Sequence, residues 1–325
     1  MITFAESVDI WEETRKALGT VQPYTAKKSA AKARTFLPFF GDEDVDEITA
    51  ADVETAIAIL RTDGGRHGQG LSGTSLRSAH LAARQAIDYA INHGRATTNA
   101  FRKVPRPKAD RSKARSLERE QFEELATYAR NELKANMERG RLGRAAFCVA
   151  VLIAMGTGMR RGEIFGLEWP DYDGHTISVR RSVKPDGIIG EPKTQSGIRR
   201  IAIGSSTAKV LDEFKKFQAP LVPKRRWDEA APVMADGKGG RLSMNTFEHW
   251  WATFRKRAGY DGLKFHELRH THASLLIANG TDVKTVQGRL GHSSADITMN
   301  IYAHALPRND ATAAQAIDGM LGGSE

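Results

Sequence analysis

One stretch divides this sequence and limits what it can become. In FRKVPRPKADRSKAR, seven residues from Arg102 to Arg115 are Lys or Arg, one is acidic and two are proline. Proline fixes φ and removes a backbone donor, and crowded like charge repels itself and stays solvated. Such a stretch cannot run through a hydrophobic core. Two folded bodies are therefore expected, residues 1–101 and 116–325, with 102–115 as a basic, extended linker. A chain of 325 residues suits that division.

The first body reads as helices joined by short turns. Phe4, Val8 and Trp11 recur at helical spacing. A second helical stretch runs through TAKKSAAKARTFLPFF. A third, ADVETAIAIL, follows Thr49, which can serve as its N-cap. GGRHGQGLSG is a glycine-rich loop. SLRSAHLAARQAIDYAINHG is a strong helix that Gly94 can close.

The second body opens near Ser116 and is also mainly helical. Ala145 to Met155 reads as a buried helix that breaks at Gly156-Thr157-Gly158, and a new helix carrying Arg160, Glu163, Ile164 and Leu167 stops at Trp169-Pro170. HTISVRRSV and IRRIAI alternate with period two, around a turn at Pro185-Asp186-Gly187, so a small antiparallel sheet is expected. Phe247, Trp250, Trp251 and Phe254 form an aromatic helix face suited to a core. The expected class is mostly α, in two domains.

Charge and cysteine content narrow the function. The formal net charge of +9 suits a polyanionic partner, nucleic acid before membrane. The sole cysteine, Cys148, lies in an apolar run and reads as a small core residue; it excludes an internal disulfide and a zinc site built on several cysteines. The N-terminal MITFAESVDIWEE carries acids early and lacks the pattern of a signal peptide. The uncharged run Ala145–Met159 is shorter than the ~20 residues of a membrane span. A soluble cytoplasmic protein is expected.

Four separated segments carry chemistry: TGMRRGEIFGL with Arg160, EPKTQSGIRRIAI with Lys193, HELRHTHAS with His266 and Arg269, and LGHSSADITMNIYAH with His292 and Tyr302. In this order they resemble the tyrosine site-specific recombinases, especially phage-type integrases. That pattern has an Arg after Thr-Gly, a Lys in a hairpin, a His-x-x-Arg helix, a Leu-Gly-His and a Tyr about ten residues later. The catalytic resemblance covers about residues 116 to 305. The first hundred residues resemble the family's SAM-like helical core-binding domain more loosely, with Asn99-Ala100 where Asn-Pro is common. The resemblance implies cleavage and rejoining of DNA through a 3′-phosphotyrosyl intermediate, on double-stranded attachment sites, by a homotetramer. It implies integration or excision of a mobile element, with no metal or other cofactor, and leaves a place for a directionality or DNA-bending factor.

The chemistry of the residues agrees. A phosphodiester gains negative charge on its non-bridging oxygens in the transition state, and the guanidiniums of Arg160 and Arg269 can meet it without losing their charge. His266, three residues before Arg269, can take the tyrosine proton or donate. His292 can contact the same phosphate, and Lys193 can protonate the departing 5′ oxygen. Tyr302 is the nucleophile; a phenol of pKa ~10 needs such a cationic pocket to react at neutral pH. Taken singly, each residue has an ordinary reading as surface, cap or core. Their joint order decides against it. Glu163 is expected to partner an arginine, while His270, His272 and His304 are support residues or helix surface.

Three other readings compete. His266-Glu267-Leu268-Arg269-His270 also matches H-E-x-x-H, the helix of a zinc metalloprotease. Its third-ligand positions hold Ala273 and Leu276, leaving Asp282 as a candidate, and it assigns nothing to Arg160, Lys193 or Tyr302. A DNA-binding module without catalysis needs no cationic set around a tyrosine. A type IB topoisomerase shares the chemistry but relaxes supercoils without exchanging strands.

Overall fold

The computed structural model describes residues 1–65, 68–110, 115–192, 194–224, 227, 231–291, 314–315 and 317–318. It separates into two compact units, Met1–Lys113 and Ala114–Glu325.

The first unit is helical. α1 (Phe4–Ala17), α2 (Pro23–Ala33), α3 (Leu37–Phe40), α4 (Ala50–Asp63), α5 (Gly73–Asn92) and α6 (Ala100–Lys103) follow in order. Two capping boxes start helices: Thr3 with Glu6 on α1, and Thr49 with Asp52 on α4. The core forms where α1, α2 and α5 pack on one another. Phe4, Phe36, Phe40 and Phe101 meet in it, with the Phe36 and Phe101 rings 5.0 Å apart edge to face. The segment read as linker stays attached to this unit through Asp110. Val104 is buried, the Thr74 amide donates to Asp110 Oδ2 (3.2 Å), and the Asp110 amide donates to Thr74 Oγ1 (3.2 Å).

The second unit is built around α8 (Leu142–Thr157), which is apolar on every side and buried along nearly its whole length. α7 (Arg119–Glu138), α10 (Ser205–Gln218) and α12 (Glu267–Ala278) pack on it. Each fully buried branched side chain here, such as Val149 or Ile153, contributes about 1.5–3 kcal/mol. α11 (Met244–Arg257) turns Phe247, Trp251 and Phe254 into the same core. Trp250 sits at its margin under the Arg144 guanidinium, 4.1 Å from the ring centre. Cys148 is a buried core residue, its thiol pushed up to about 12 by burial.

Two small antiparallel pairs flank these helices. β1 (Thr176–Val179) pairs with β4 (Arg199–Ala202), Ile177 opposite Ile201. β2 (Ser182–Val183) pairs with β3 (Ile189–Gly190). The short α9 (Arg161–Gly166) lies against the start of this second hairpin. Its contact face carries Gly162 and Gly166, one turn apart. A Cβ on Gly162 would stand 2.5 Å from Ser182 Oγ and 2.6 Å from the Val183 carbonyl oxygen; one on Gly166 would stand 2.6 Å from the Arg181 carbonyl oxygen. Bare backbone is what lets helix and hairpin approach this closely. The last helix of the sheet side, α13 (Val283–Leu290), is capped by Asp282 and meets β4.

Candidate active site

The site begins where α8 ends. Gly158 adopts φ +66°, and a Cβ there would come within 2.7 Å of the His272 ring, so a residue with a side chain is excluded twice over. The turn it makes leaves Arg160 in extended backbone at the N-cap of α9. Glu163 then closes on it. The Arg160 amide donates to Glu163 Oε2 (2.9 Å) and its Nη1 donates to Oε1 (2.8 Å). Arg199, from β4, donates to the same carboxylate through Nη1 (3.2 Å) and Nη2 (2.9 Å). Burial alone would raise the Glu163 carboxyl. The hydrogen bonds and charge of Arg199, then those of Arg160, hold it below the ordinary value.

Three successive carbonyls at the end of α13 complete the arrangement. The Arg289 carbonyl accepts from Arg199 Nε (2.7 Å), that of Leu290 from Arg269 Nη2 (2.7 Å), and that of Gly291 from Arg160 Nη2 (3.0 Å). A helix C-terminus leaves carbonyls unpaired within the helix and carries partial negative charge, and here that charge is met by guanidiniums. Arg269 also donates to the Gly158 carbonyl through Nη1 (2.7 Å) and is 2% exposed.

His272, one turn after Leu268 on α12, locks the other side. Its Nδ1 lies 2.8 Å from the Met155 carbonyl oxygen, and Arg289 Nε donates to its Nε2 (3.0 Å). An arginine can only donate, so Nε2 accepts and the ring is the neutral Nδ1–H tautomer. Burial, then Arg289, lowers its pKa to about 4.

Above this base opens a cleft of about 650 Å³, with Arg160, Arg161, Ser182, Lys184, Glu191, Trp251 and His266 among its lining. The Arg160 side chain is 40% exposed, so its guanidinium is braced from behind and accessible in front. His266 opens to the cleft from the N-cap of α12, in helical backbone. The ring is exposed to solvent in the cleft, yet desolvation by the surrounding protein, followed by His270, Arg269, Arg160 and Arg161, lowers its pKa to about 4. At neutral pH its ring is uncharged and can accept a proton.

The structure thus brings Arg160 and His266 together in one cleft and sets Arg269 behind it. Lys193, His292, Tyr302 and His304 lie outside the described residues; Pro192 and Thr194, the neighbours of Lys193, line the cleft. Glu163, expected to partner an arginine, holds two. His270 packs edge to face on His266, ring centres 4.9 Å apart. Sequence reasoning did not single out Arg199 and Arg289. A signal existed for Arg199: period-two alternation puts it on the face of buried Ile201, and an inward arginine on a strand needs an anion.

The metalloprotease motif is engaged otherwise. The Lys264 amide donates to Glu267 Oε2 (2.7 Å), and Asp282 accepts from the Thr285 amide (2.8 Å), so both carboxylates cap backbone. Among the described residues, no group of three or more His, Cys, Asp or Glu is placed to hold a metal ion. No described helix is long and apolar enough to cross a membrane.

This helical architecture is the class of fold found in DNA integrases. The Tn1549 transposon integrase in complex with a circular intermediate DNA superposes over 97% of this chain and 99% of its own, with a TM-score of 0.76 at 20% identity. The lambda integrase tetramer bound to a Holliday junction superposes over 91% of this chain and 79% of its own, with a TM-score of 0.67 at 20% identity. Among sequence relatives, the XerC-like tyrosine recombinase of Caldanaerobacter subterraneus subsp. tengcongensis is 29% identical across 78% of this chain and 68% of its own. The ICEBs1 integrase of Bacillus subtilis is 25% identical across 87% and 74%. The chain belongs to the phage integrase family, whose model matches residues 115–308. It is a tyrosine site-specific recombinase, an enzyme that cleaves and rejoins DNA, and the metalloprotease and non-catalytic readings have no support.

Proposed function

We propose that the cleft holds the scissile phosphate of a double-stranded attachment site and that six residues share the work. Arg160 meets the non-bridging oxygens from the cleft wall, and Arg269 adds fixed positive charge from beneath. His266 takes the phenolic proton as Tyr302 Oη attacks phosphorus. The bond to the 5′ oxygen breaks, Lys193 supplies that oxygen with its proton, and a 3′-phosphotyrosine remains. His292 steadies the same phosphate. A 5′ hydroxyl from another strand then attacks phosphorus and releases Tyr302, so the energy of the first bond is kept and neither metal nor nucleotide is consumed.

The observation that carries this reading is the Arg160 guanidinium, fixed by Glu163 and Gly291 yet open to the cleft beside a neutral His266. In the proposed division, residues 1–101 bind the core of the site, 102–115 follow the duplex, and 116–325 cut. Four copies acting on paired sites would integrate or excise a mobile element in the cytoplasm, with a directionality or DNA-bending factor setting the direction. The deciding experiment uses Tyr302→Phe on a nicked suicide duplex carrying the attachment site. The variant is expected to bind the duplex as the wild type does and to form no covalent adduct on a denaturing gel. An adduct from the variant removes Tyr302 from the role.

A further inference from the structure

Three acids, Glu163, Glu191 and Glu248, line a cleft that a DNA-binding surface would be expected to make wholly basic, and Glu248 comes from a helix of its own. One face of α11 lines it through Met244, Glu248, Trp251 and Arg255, spaced at helical intervals. From this face Glu248 forms an ion pair with Arg161, the residue that follows Arg160. Arg160 sits at the N-cap in extended backbone and Arg161 is the first residue of α9, so both guanidiniums enter the cleft from adjacent positions. They are held differently. Arg160 is braced by buried Glu163 and the Gly291 carbonyl, which leave its outer side open. Arg161 is 31% exposed and is matched to a carboxylate that is itself 50% exposed. Burial works against the Arg161 charge, which strengthens its need for an anion.

We propose that Glu248 masks Arg161, keeping a second phosphate-binding guanidinium in the cleft from capturing the backbone of arbitrary DNA. The proposal rests on the reading of this cleft as the DNA site. The geometry explains why the mask would act on Arg161 alone. Glu163 is consumed by Arg160 and Arg199 inside the protein. Glu248 projects from a different helix and reaches across to α9. A duplex phosphate competing for Arg161 must displace Glu248 and then lie beside it, so indiscriminate contacts are disfavoured by like charge. A duplex whose fit draws α11 and α9 into new positions can take Arg161 over. Discrimination would then come from an internal anion and not from an added base contact.

The test is a double-mutant cycle read by binding to a short duplex of arbitrary sequence across a salt series. Glu248→Gln keeps the shape of a half-exposed side chain. It is expected to tighten binding about three- to fivefold, the scale of one half-exposed ion contact. It should also steepen the slope of log K against log salt by about 0.9, the signature of one more neutralised phosphate. Arg161→Gln alone is expected to weaken binding, because it leaves the Glu248 carboxylate unpaired in the cleft beside the duplex. The double variant should bind no tighter than wild type, and the gain from Glu248→Gln should be larger with Arg161 present than with it absent. If Glu248→Gln tightens binding equally with Arg161 absent, the effect is general charge and the mask is wrong. Unchanged affinity and slope in Glu248→Gln, beside a wild type that binds, overturns the mask alone. A wild type that binds no duplex at low salt overturns the DNA reading and the mask together.

Discussion

His272 shows how a single side chain can tie stability to pH without entering the reaction. Its native pKa of about 4 lies below the ordinary 6.5 because burial and Arg289 oppose its protonation. The unfolded chain therefore binds a proton that the native protein refuses, and stability falls as pH drops from about 6.5 toward 4. A difference of about 2.5 pH units corresponds to roughly 3 kcal/mol at the acid end. Replacing His272 with Gln is expected to remove much of this slope; thermal melts of both proteins between pH 7 and pH 4 would show it, and parallel curves would mean another group is responsible. The residue also marks where the sequence stops being legible. Arg160, His266 and Arg269 stand out in HELRHTHAS and TGMRRGEIFGL because their spacing is local. The groups around them are remote in sequence: Arg160 reaches the Gly291 carbonyl, Arg269 the Gly158 and Leu290 carbonyls, Arg199 comes from 36 residues away to share Glu163, and Arg289 meets His272 from another helix, so nothing local announces such pairings.

Between elements, the glycine face of α9 sets where the β2–β3 hairpin can sit. Gly162→Ala would place a methyl against the Val183 carbonyl, a backbone atom that cannot swing aside. The hairpin would have to shift, and with it the loop that leads to Lys193. If Lys193 is the general acid, the variant should cleave ordinary DNA more slowly, by roughly tenfold or more for a ~1 Å displacement of a catalytic group. A substrate with sulfur at the 5′ bridging position needs no proton to leave, so the defect should disappear on it. An equal defect on both substrates would place the damage at Arg160 instead. At this scale the sequence was informative about elements and less so about contacts. Thr49 and Gly94 mark helix ends as expected, with Thr49 accepting from the Asp52 amide and Gly94 following α5 at φ +67°. Alternation in HTISVRRSV and IRRIAI foretold β1 and β4. What alternation could not give is which strands pair, since β1 joins β4 across the intervening hairpin.

For the whole molecule, the boundary between the two compact units, after Lys113, falls inside the proline-bearing basic stretch. The hydrogen bonds between Thr74 and Asp110 could not be foreseen, because they join residues 36 positions apart. The far end of the chain offers a test of assembly. Ala314, Gln315, Ile317 and Asp318 are helical and exposed, Ile317 at 54%. An exposed apolar residue on a terminal helix suits docking onto a second copy. Truncation after Arg308 is expected to leave the melting temperature and single-site binding near wild type. It should weaken assembly on paired sites and alter the ratio of cleavage to strand exchange. Gel-shift titrations with one and two sites, beside a thermal melt, make the comparison. A much lower melt with poor single-site binding would show that the tail packs on its own unit.

Arg199, Arg269 and Arg160 draw on the carbonyls of residues 289, 290 and 291, one after another along a single helix end. Three cations anchored to so short a run of backbone share a fate. A displacement of that end disturbs all of them at once, and its return restores them at once. The resting population should then divide into molecules with the full set aligned and molecules with none, with few in between. A variant that loosens the helix end would lower the fraction of molecules able to cut while leaving the speed of each competent one unchanged. Control of strand cleavage would need no chemistry at the reacting atoms, only a change in how often one helix terminus is home.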